Sequence, residues 1–423
     1  MLDIPLRYGP GHVTLRVPEE NVADVVRPSI GVGIERVHPA SPAEFRPRAR
    51  GRHALLLVPD GTRRPGTDTL EHAVSALAEA ASLRVAVCTG SHRADTPANR
   101  EIVAAVRDAA ARHGAPEPDA LLHDCRGGPF TDHGTTPRGN PIRLSAALDD
   151  RDLALAVADV KHHYFAGYSN PLKFFLPGLA DFDTIESNHH LALDPLSAAG
   201  RHPFHPDPAR RDNPLAAEML AAFRTAWRGR DAYALATVRA EERYAFFELG
   251  ELAEVAGRAF AVADAVAGAR VDPSKRVVIS AGGAPMDATL YLCQRAVELT
   301  RPAIADGAEI LLLAECADGI ADSDTARANF YDELTRPLDE ILARIRDGYR
   351  LYQHKAYRFA ELLRRIAALH LSSLLPDDEV RAAHFVPAHS PQDLIDGWIA
   401  RDPRCRITFL DEANRLVVLG NAS

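Results

Sequence analysis

The stretch His163-Tyr-Phe-Ala-Gly-Tyr-Ser-Asn-Pro-Leu-Lys173, followed by Pro177-Gly178 and Asn188-His189-His190, gathers two histidine sites and one lysine. Such side chains offer a proton acceptor near neutral pH, a metal ligand and an amine that can attack an electrophile. A fold alone does not require that combination, and it points to an enzyme with a demanding cofactor. Two further groups precede it. Asp60-Gly61-Thr62-Arg63 reads either as an Asx-type turn with Arg63 paired locally, or as a clamp in which Arg63 grips an anion through two parallel hydrogen bonds. His92, in Thr89-Gly90-Ser91-His92-Arg93, can bond the backbone or act as a general base.

Each residue also has a plainer reading. Lys173 sits in Leu172-Lys173-Phe174-Phe175-Leu176 and can snorkel with a buried stem; desolvated in a cleft, it becomes nucleophilic. His162, His163, His189 and His190 form two pairs, but the chain has 18 histidines and no HExxH spacing. Asp181, Asp183 and Glu186 nearby keep a divalent-metal hydrolase open as an alternative. Gly282-Gly283-Ala-Pro-Met-Asp287 offers a helix amino terminus for an anion, yet matches neither a Walker loop nor a dinucleotide fingerprint.

The elements that must position these side chains follow an α/β rhythm. Ala54–Val58 and Arg84–Cys88 are short apolar runs ending at Asp60 and at the Thr89–Arg93 loop, and Leu153–Val160 is a third, ending at His162-His163. Helical spacing covers 68–82 and 97–113, so strand, polar loop and helix repeat, the pattern of a largely parallel sheet. Ligands in such sheets sit beyond the carboxyl ends of the strands, where Asp60, Arg63, His92 and His163 all fall. Residues 1–50 read as short strands and proline-rich turns, 200–215 as a proline-rich loop, and 215–229 and 251–269 as helices. A second unit begins near 270, with strands at 276–280 and 308–314, helices at 290–299, 336–346 and 356–368, and strands near 406–419.

At 423 residues two domains are expected, 1–269 carrying the histidines and the lysine, and a smaller 270–423. A net charge of −9 argues against general nucleic-acid binding, which needs a basic surface. Five scattered cysteines without a CxxC pair suit a reducing compartment, and neither a signal peptide nor a membrane span is visible, so a cytoplasmic protein is expected.

Taken in order, these elements resemble the nickel-pincer lactate racemase family. The matching pieces are Asp60-Gly-Thr-Arg63, Thr89-Gly-Ser-His92-Arg93, His163-x-Phe-Ala-Gly-x-Ser with Lys173 and Pro177-Gly178, Asn188-His189, Gly282-Gly-x-Pro-x-Asp287 with Leu290-Tyr291, and His354-Lys355-Ala356. The resemblance implies two α/β domains with the active site in the cleft between them. It implies a racemase or epimerase of a 2-hydroxy acid, an isomerase that moves a hydride reversibly to a nickel-pincer nucleotide. By resemblance, Lys173 attaches that cofactor covalently, His189 completes the nickel coordination, His92 and His163 are the paired acid/base residues, and Arg63 holds the substrate carboxylate. Asp60, Tyr291 and Arg295 fall at cofactor-contacting positions. The implied partners are a small hydroxy acid and, transiently, the enzymes that make the cofactor. A non-catalytic cofactor-binding relative is a further alternative.

Three departures bear on the pocket. Asn170-Pro171 stands where the family usually has Gly-Gly, removing a backbone donor and stiffening the loop. Leu292 and Arg295 stand where the family commonly has Gln and Lys; Arg295 keeps the charge with different geometry, and Leu292 makes that wall more apolar, which suggests a substrate larger or more apolar than lactate. The only tryptophans, Trp227 and Trp398, replace no family aromatic in the 330–360 region.

Overall fold

The computed structural model describes residues 1–28, 41–240 and 243–419. The chain forms two compact α/β units, Ile30–Val266 and a discontinuous one made of Met1–Ser29 with Ala267–Ser423. The sequence reading had put residues 1–28 with the first domain. They join the other because Val22–Val26 adds an edge strand beside Ile407–Leu410, and the Leu2–Tyr8/Gly11–Val17 hairpin buries Leu6, Leu15 and Val17 against Val278, Leu311 and Phe409. Part of the expected 1–50 region, residues 29–40, lies outside the described residues.

The 30–266 unit is built on six strands in the order Arg243–Glu251, Asp231–Ala240, Leu153–Asp159, His53–Pro59, Ser82–Cys88, Asp119–Leu122, parallel except for the first pair. Leu55, Leu56, Leu57 and Val58 are fully buried, as a central parallel strand covered on both faces requires. Each such side chain is worth about 1.5–3 kcal/mol of burial, which fixes where the strand ends. Helices Thr67–Ala76 and Pro97–His113 cover one face, packing Leu70, Val74, Ile102 and Val106 on Leu56, Val58, Val85 and Val87. The second helix starts where the sequence says it should. Thr96 caps it through the Asn99 N–H at 3.2 Å, Pro97 takes the first position, and Gly114 ends it at φ +65°.

Two expectations needed correction. The helix expected over 68–82 stops at Ala76, because the alanine-rich tail winds into a turn before the Ser82 strand. The strands Asp231–Ala240 and Arg243–Glu251 are not among those expected from the sequence: Asp-Ala-Tyr-Ala-Leu-Ala-Thr-Val-Arg-Ala is poor in β-formers and pairing with Leu153–Asp159 overrides it, and the aromatic-rich Arg243–Glu251 then pairs onto its other edge.

The strand order leaves His53–Pro59 in the middle, with the chain winding outward first to one side and then to the other. The crevice at such a reversal opens at the carboxyl ends of the His53–Pro59 and Leu153–Asp159 strands. The other unit has a six-stranded parallel sheet, ordered Val386–Pro387, Ala368–Ser372, Ile304–Leu313, Ser274–Ser280, Ile407–Leu410, Val22–Val26. Among the described residues, no helix is long and apolar enough to cross a membrane.

Candidate active site

The loop after the His53–Pro59 strand is a short 3-10 turn, Gly61–Arg63, capped by Asp60. Asp60 is almost fully buried, and its two oxygens do different work. Oδ1 accepts the Thr62 hydroxyl at 2.6 Å and the Thr62 N–H at 3.1 Å, while Oδ2 lies 2.6 Å from His92 Nδ1. Burial alone would raise the Asp60 pKa, but the bonds from His92 and Thr62 and the nearby Arg63 charge hold it below the usual carboxylate value. An ionised acceptor fixes the His92 proton on Nδ1 and turns the Nε2 lone pair outward. The same loop carries Arg63, whose side chain is exposed and makes no ion pair among the described residues.

Sequence reasoning missed Asn99, the residue that joins the two loops. Its Oδ1 accepts the Gly61 N–H at 2.7 Å, and its Nδ2 donates to the Ala94 and Arg93 carbonyls at 2.7 and 3.3 Å. It is buried in the first turn of helix Pro97–His113, where its amide registers only as a poor helix former. The His92 turn is also tied to the lysine loop, since the Gly90 N–H donates to the Gly178 carbonyl at 3.2 Å.

Lys173 lies in the 3-10 turn Pro171–Phe174. Asn170 caps it, taking the Leu172 N–H at 3.0 Å and donating to the Tyr168 carbonyl at 2.8 Å, and Pro171 fills the first position, where no donor is missed. The departure at Asn170-Pro171 thus yields a capped, stiff mount for the lysine. Gly178 closes the loop because a Cβ there would lie 2.4 Å from the Phe174 carbonyl oxygen.

His189 sits in the last turn of helix Phe182–His190 and donates Nδ1–H to the Ile185 carbonyl at 2.9 Å, which places the lone pair of the neutral ring on Nε2, on the side away from that carbonyl. Burial, then the neighbouring Lys173 charge and His92, push its pKa down to about 4, so the ring is neutral at pH 7. These same influences put Lys173 and His92 beside His189. Asp181, the nearby carboxylate, is spent on capping this helix and on Arg143 at 2.8 Å. Among the described residues, no group of three or more His, Cys, Asp or Glu side chains is arranged to hold a metal ion.

His162 and His163 form a two-residue strand paired with Gly167–Tyr168. Alternation along it sends His162 inward, 4% exposed, and His163 to the other side. His163 Nδ1 receives the Ala166 N–H at 3.3 Å, and its ring meets Phe165 edge-on at 4.5 Å. Phe165 also meets His189 edge-on at 5.3 Å, so one aromatic ring spaces the two histidines. Asp60, Arg63, His92, His163, Lys173 and His189 therefore cluster in one unit.

Tyr291 and Arg295 belong to the other unit, on helix Leu290–Leu299. Lys355, which the sequence reading gave no role, donates to the Tyr291 carbonyl and stands 3.8 Å over its ring. Burial first, then Arg295, lower its pKa to about 7. Leu292 on the same helix is 43% exposed. The Gly282-Gly283 turn serves packing: Gly9 donates to Asp287 Oδ2 at 2.8 Å and accepts from the Ala284 N–H at 2.7 Å.

Residues 8–200 match the family model for the lactate racemase N-terminal domain. The chain is 24% identical to a lactate racemase of Thermoanaerobacterium thermosaccharolyticum over 86% of both chains, and 22% identical to one of Lactiplantibacillus plantarum over 99% and 100%. Its fold matches the T. thermosaccharolyticum lactate racemase apoprotein with a TM-score of 0.79 at 21% identity, over 99% and 100% of the chains. A Thermotoga maritima protein aligns with a TM-score of 0.59 at 14% identity, over 91% and 99%.

Proposed function

The chain belongs to the lactate racemase family and is an isomerase, and from that premise we propose that it racemises or epimerises a 2-hydroxy acid with a nickel-pincer nucleotide. The observation that carries this reading is the grouping of Lys173 and His92 around a neutral His189 whose Nε2 faces away from its backbone anchor.

The donor chemistry fits that group. A lone protein imidazole holds an ion only when other ligands come from elsewhere, and an organic pincer supplies them. Lys173, mounted on its capped turn, would provide the covalent attachment, and His189 the protein ligand to nickel. When bound, the cofactor supplies an acceptor and donor for hydride, which removes the need to abstract a weakly acidic α-proton.

The chain's own residues handle the rest. Arg63, exposed and unpaired among the described residues, clamps the substrate carboxylate and keeps the 2-keto acid from leaving. His92 takes the hydroxyl proton at Nε2, and Asp60 stabilises the imidazolium that results. His163 serves the opposite orientation of the substrate, since inverting a centre calls for a base on each side. The substrate class is inferred from the sequence: where the resemblance has Gln, this chain has Leu292, which favours a substituent larger or more apolar than methyl.

The test is expression together with the cofactor-making enzymes, followed by intact mass, nickel content and a chiral screen of hydroxy acids. An adduct on Lys173 with nickel and racemisation supports the proposal. Full turnover in both His92→Ala and His163→Ala would sink it, and equal or greater activity on lactate than on bulkier acids would sink the substrate assignment. The metal-hydrolase alternative loses ground because Asp181 is already engaged by the helix terminus and Arg143.

A further inference from the structure

Among the histidines the sequence singled out, His162 has no place in the chemistry above, yet it is among the most firmly held. Its Nε2 lies 2.7 Å from Asp264 Oδ1, on helix Leu252–Ala267, and the Tyr168 hydroxyl donates to that same oxygen at 2.7 Å. Asp264 Oδ2 receives the Arg210 guanidinium and His205 Nε2, the latter at 3.3 Å. One carboxylate, 15% exposed, thus collects four donors from two segments distant in sequence. Burial opposes its charge, but the bonds from His162, His205 and Arg210 outweigh it and keep its pKa far below the usual carboxylate value.

The arrangement bears on His163 through geometry. His162 and Tyr168 are directly paired across the two-residue hairpin, and His163 pairs with Gly167 next to them. Asp264 therefore grips both ends of one rung, and the adjoining rung carries the acid/base candidate. The far side of that rung is equally tight. Gly167 stands at φ +77°, a Cβ there would lie 1.9 Å from the Arg201 carbonyl oxygen, and its own carbonyl accepts the Gly200 N–H at 3.1 Å. Tyr168 stacks on Phe260 at 4.1 Å from the same helix as Asp264, and Arg210 binds both the Tyr168 hydroxyl and the Gly200 carbonyl. Because neighbours on a strand face opposite ways, a pull on His162 from behind sets the direction in which His163 projects in front.

We propose that Asp264 is a positioning residue for His163: through His162 and Tyr168 it fixes the hairpin that sets the His163 ring orientation. The proposal rests on the acid/base role assigned to His163 above. A displacement of about 1 Å at a reacting group can cost on the order of a hundredfold in rate, so a rigid mount behind this histidine has a direct catalytic return.

Two measurements on Asp264→Asn, His162→Phe and His163→Ala test it. Long-range 15N–1H spectra of the cofactor-free protein report which ring nitrogen of His163 carries the proton, whatever the activity. Steady-state racemisation by the loaded enzyme reports the catalytic consequence. Asp264→Asn is expected to convert His163 from one tautomer to a mixture and to lower kcat at least about tenfold with KM within about threefold. His162→Phe, which leaves the Asp264–Arg210 pair in place, is expected to do the same and decides the matter if Asp264→Asn does not fold. An unchanged His163 spectrum in a folded variant overturns the proposal. Full racemisation by His163→Ala overturns the acid/base assignment instead, and the spectra still answer the positioning question.

Discussion

His92 and His163 present opposite ring nitrogens to their anchors: His92 gives its Nδ1 proton to Asp60 at 2.6 Å, whereas His163 Nδ1 receives the Ala166 N–H at 3.3 Å. In the neutral protein the first ring offers a lone pair at Nε2 and the second offers a proton there. The two bonds also differ in strength. A short bond to a buried carboxylate locks His92, while the 3.3 Å bond to His163 is at the weak end for an N–H donor. A pair that starts with unlike ring nitrogens protonated suits a reaction that must run from either enantiomer.

Asp60→Asn tests the held member. Asparagine keeps the shape but can offer its N–H to His92, favouring the tautomer with Nε2 protonated. Turnover is expected to fall by about 10²–10⁴-fold with little change in KM, because the base is lost while Arg63 still binds substrate. Steady-state kinetics of the loaded enzyme decide it, and a loss confined to KM would contradict the assignment.

Arg63→Lys separates clamping from charge. Lysine keeps the cation but not the two-pronged fork, so KM for the hydroxy acid should rise on the order of tenfold with a much smaller change in kcat. Arg63 contributes no ion pair to the fold among the described residues, so the melting temperature should stay within a degree or two of the parent. A large stability loss would show that the side chain has a structural task instead.

The positions of the candidate residues were legible because strand ends deliver them: Asp60, His92 and His163 each follow an apolar run whose length the sequence displays. Their supports were not. Asn99 is hidden in a helix and Asp264 sits about a hundred residues from the histidine it anchors, so neither has a local pattern. The Ile185 carbonyl that orients His189 is backbone and has no sequence signature at all. The fold was readable where apolar strands alternate with helices and unreadable where alanine-rich strands borrow their conformation from neighbours, as at Asp231–Ala240. Residues 1–28 show the same limit, because Val22–Val26 is a five-residue edge strand whose partner lies almost four hundred residues away.

Lys173 and His189 should fail in different ways. Lys173→Ala removes the amine, so protein made alongside the cofactor enzymes should show neither the mass adduct nor nickel. His189→Ala leaves the amine on its Asn170-capped turn, so the adduct should persist while nickel per chain falls several-fold. Intact-mass spectrometry and elemental analysis of the same samples separate the two. Loss of the adduct in the folded His189→Ala protein would mean that metal binding and attachment are not divided between these residues.

His202 ties the fold of this unit to pH. It is fully buried, its Nδ1 accepts the Phe204 N–H at 3.1 Å, and its ring meets Phe260 edge-on at 4.8 Å. Burial first, then His205, lower its pKa from 6.5 to about 3. Between those values the unfolded chain binds a proton that the folded one refuses, so unfolding is favoured as the pH falls from about 6.5 toward 3 and the full contribution is present above 6.5. One such site contributes at most about 1.4 kcal/mol per pH unit across that window. His202→Asn can keep an acceptor for Phe204 without a titrating ring. Its urea stability should be lower than the parent's at pH 7 by about 1–3 kcal/mol for the lost packing, yet fall more slowly between pH 6.5 and 5. Parallel stability-against-pH curves for the two proteins would show that His202 is not the group that senses acid.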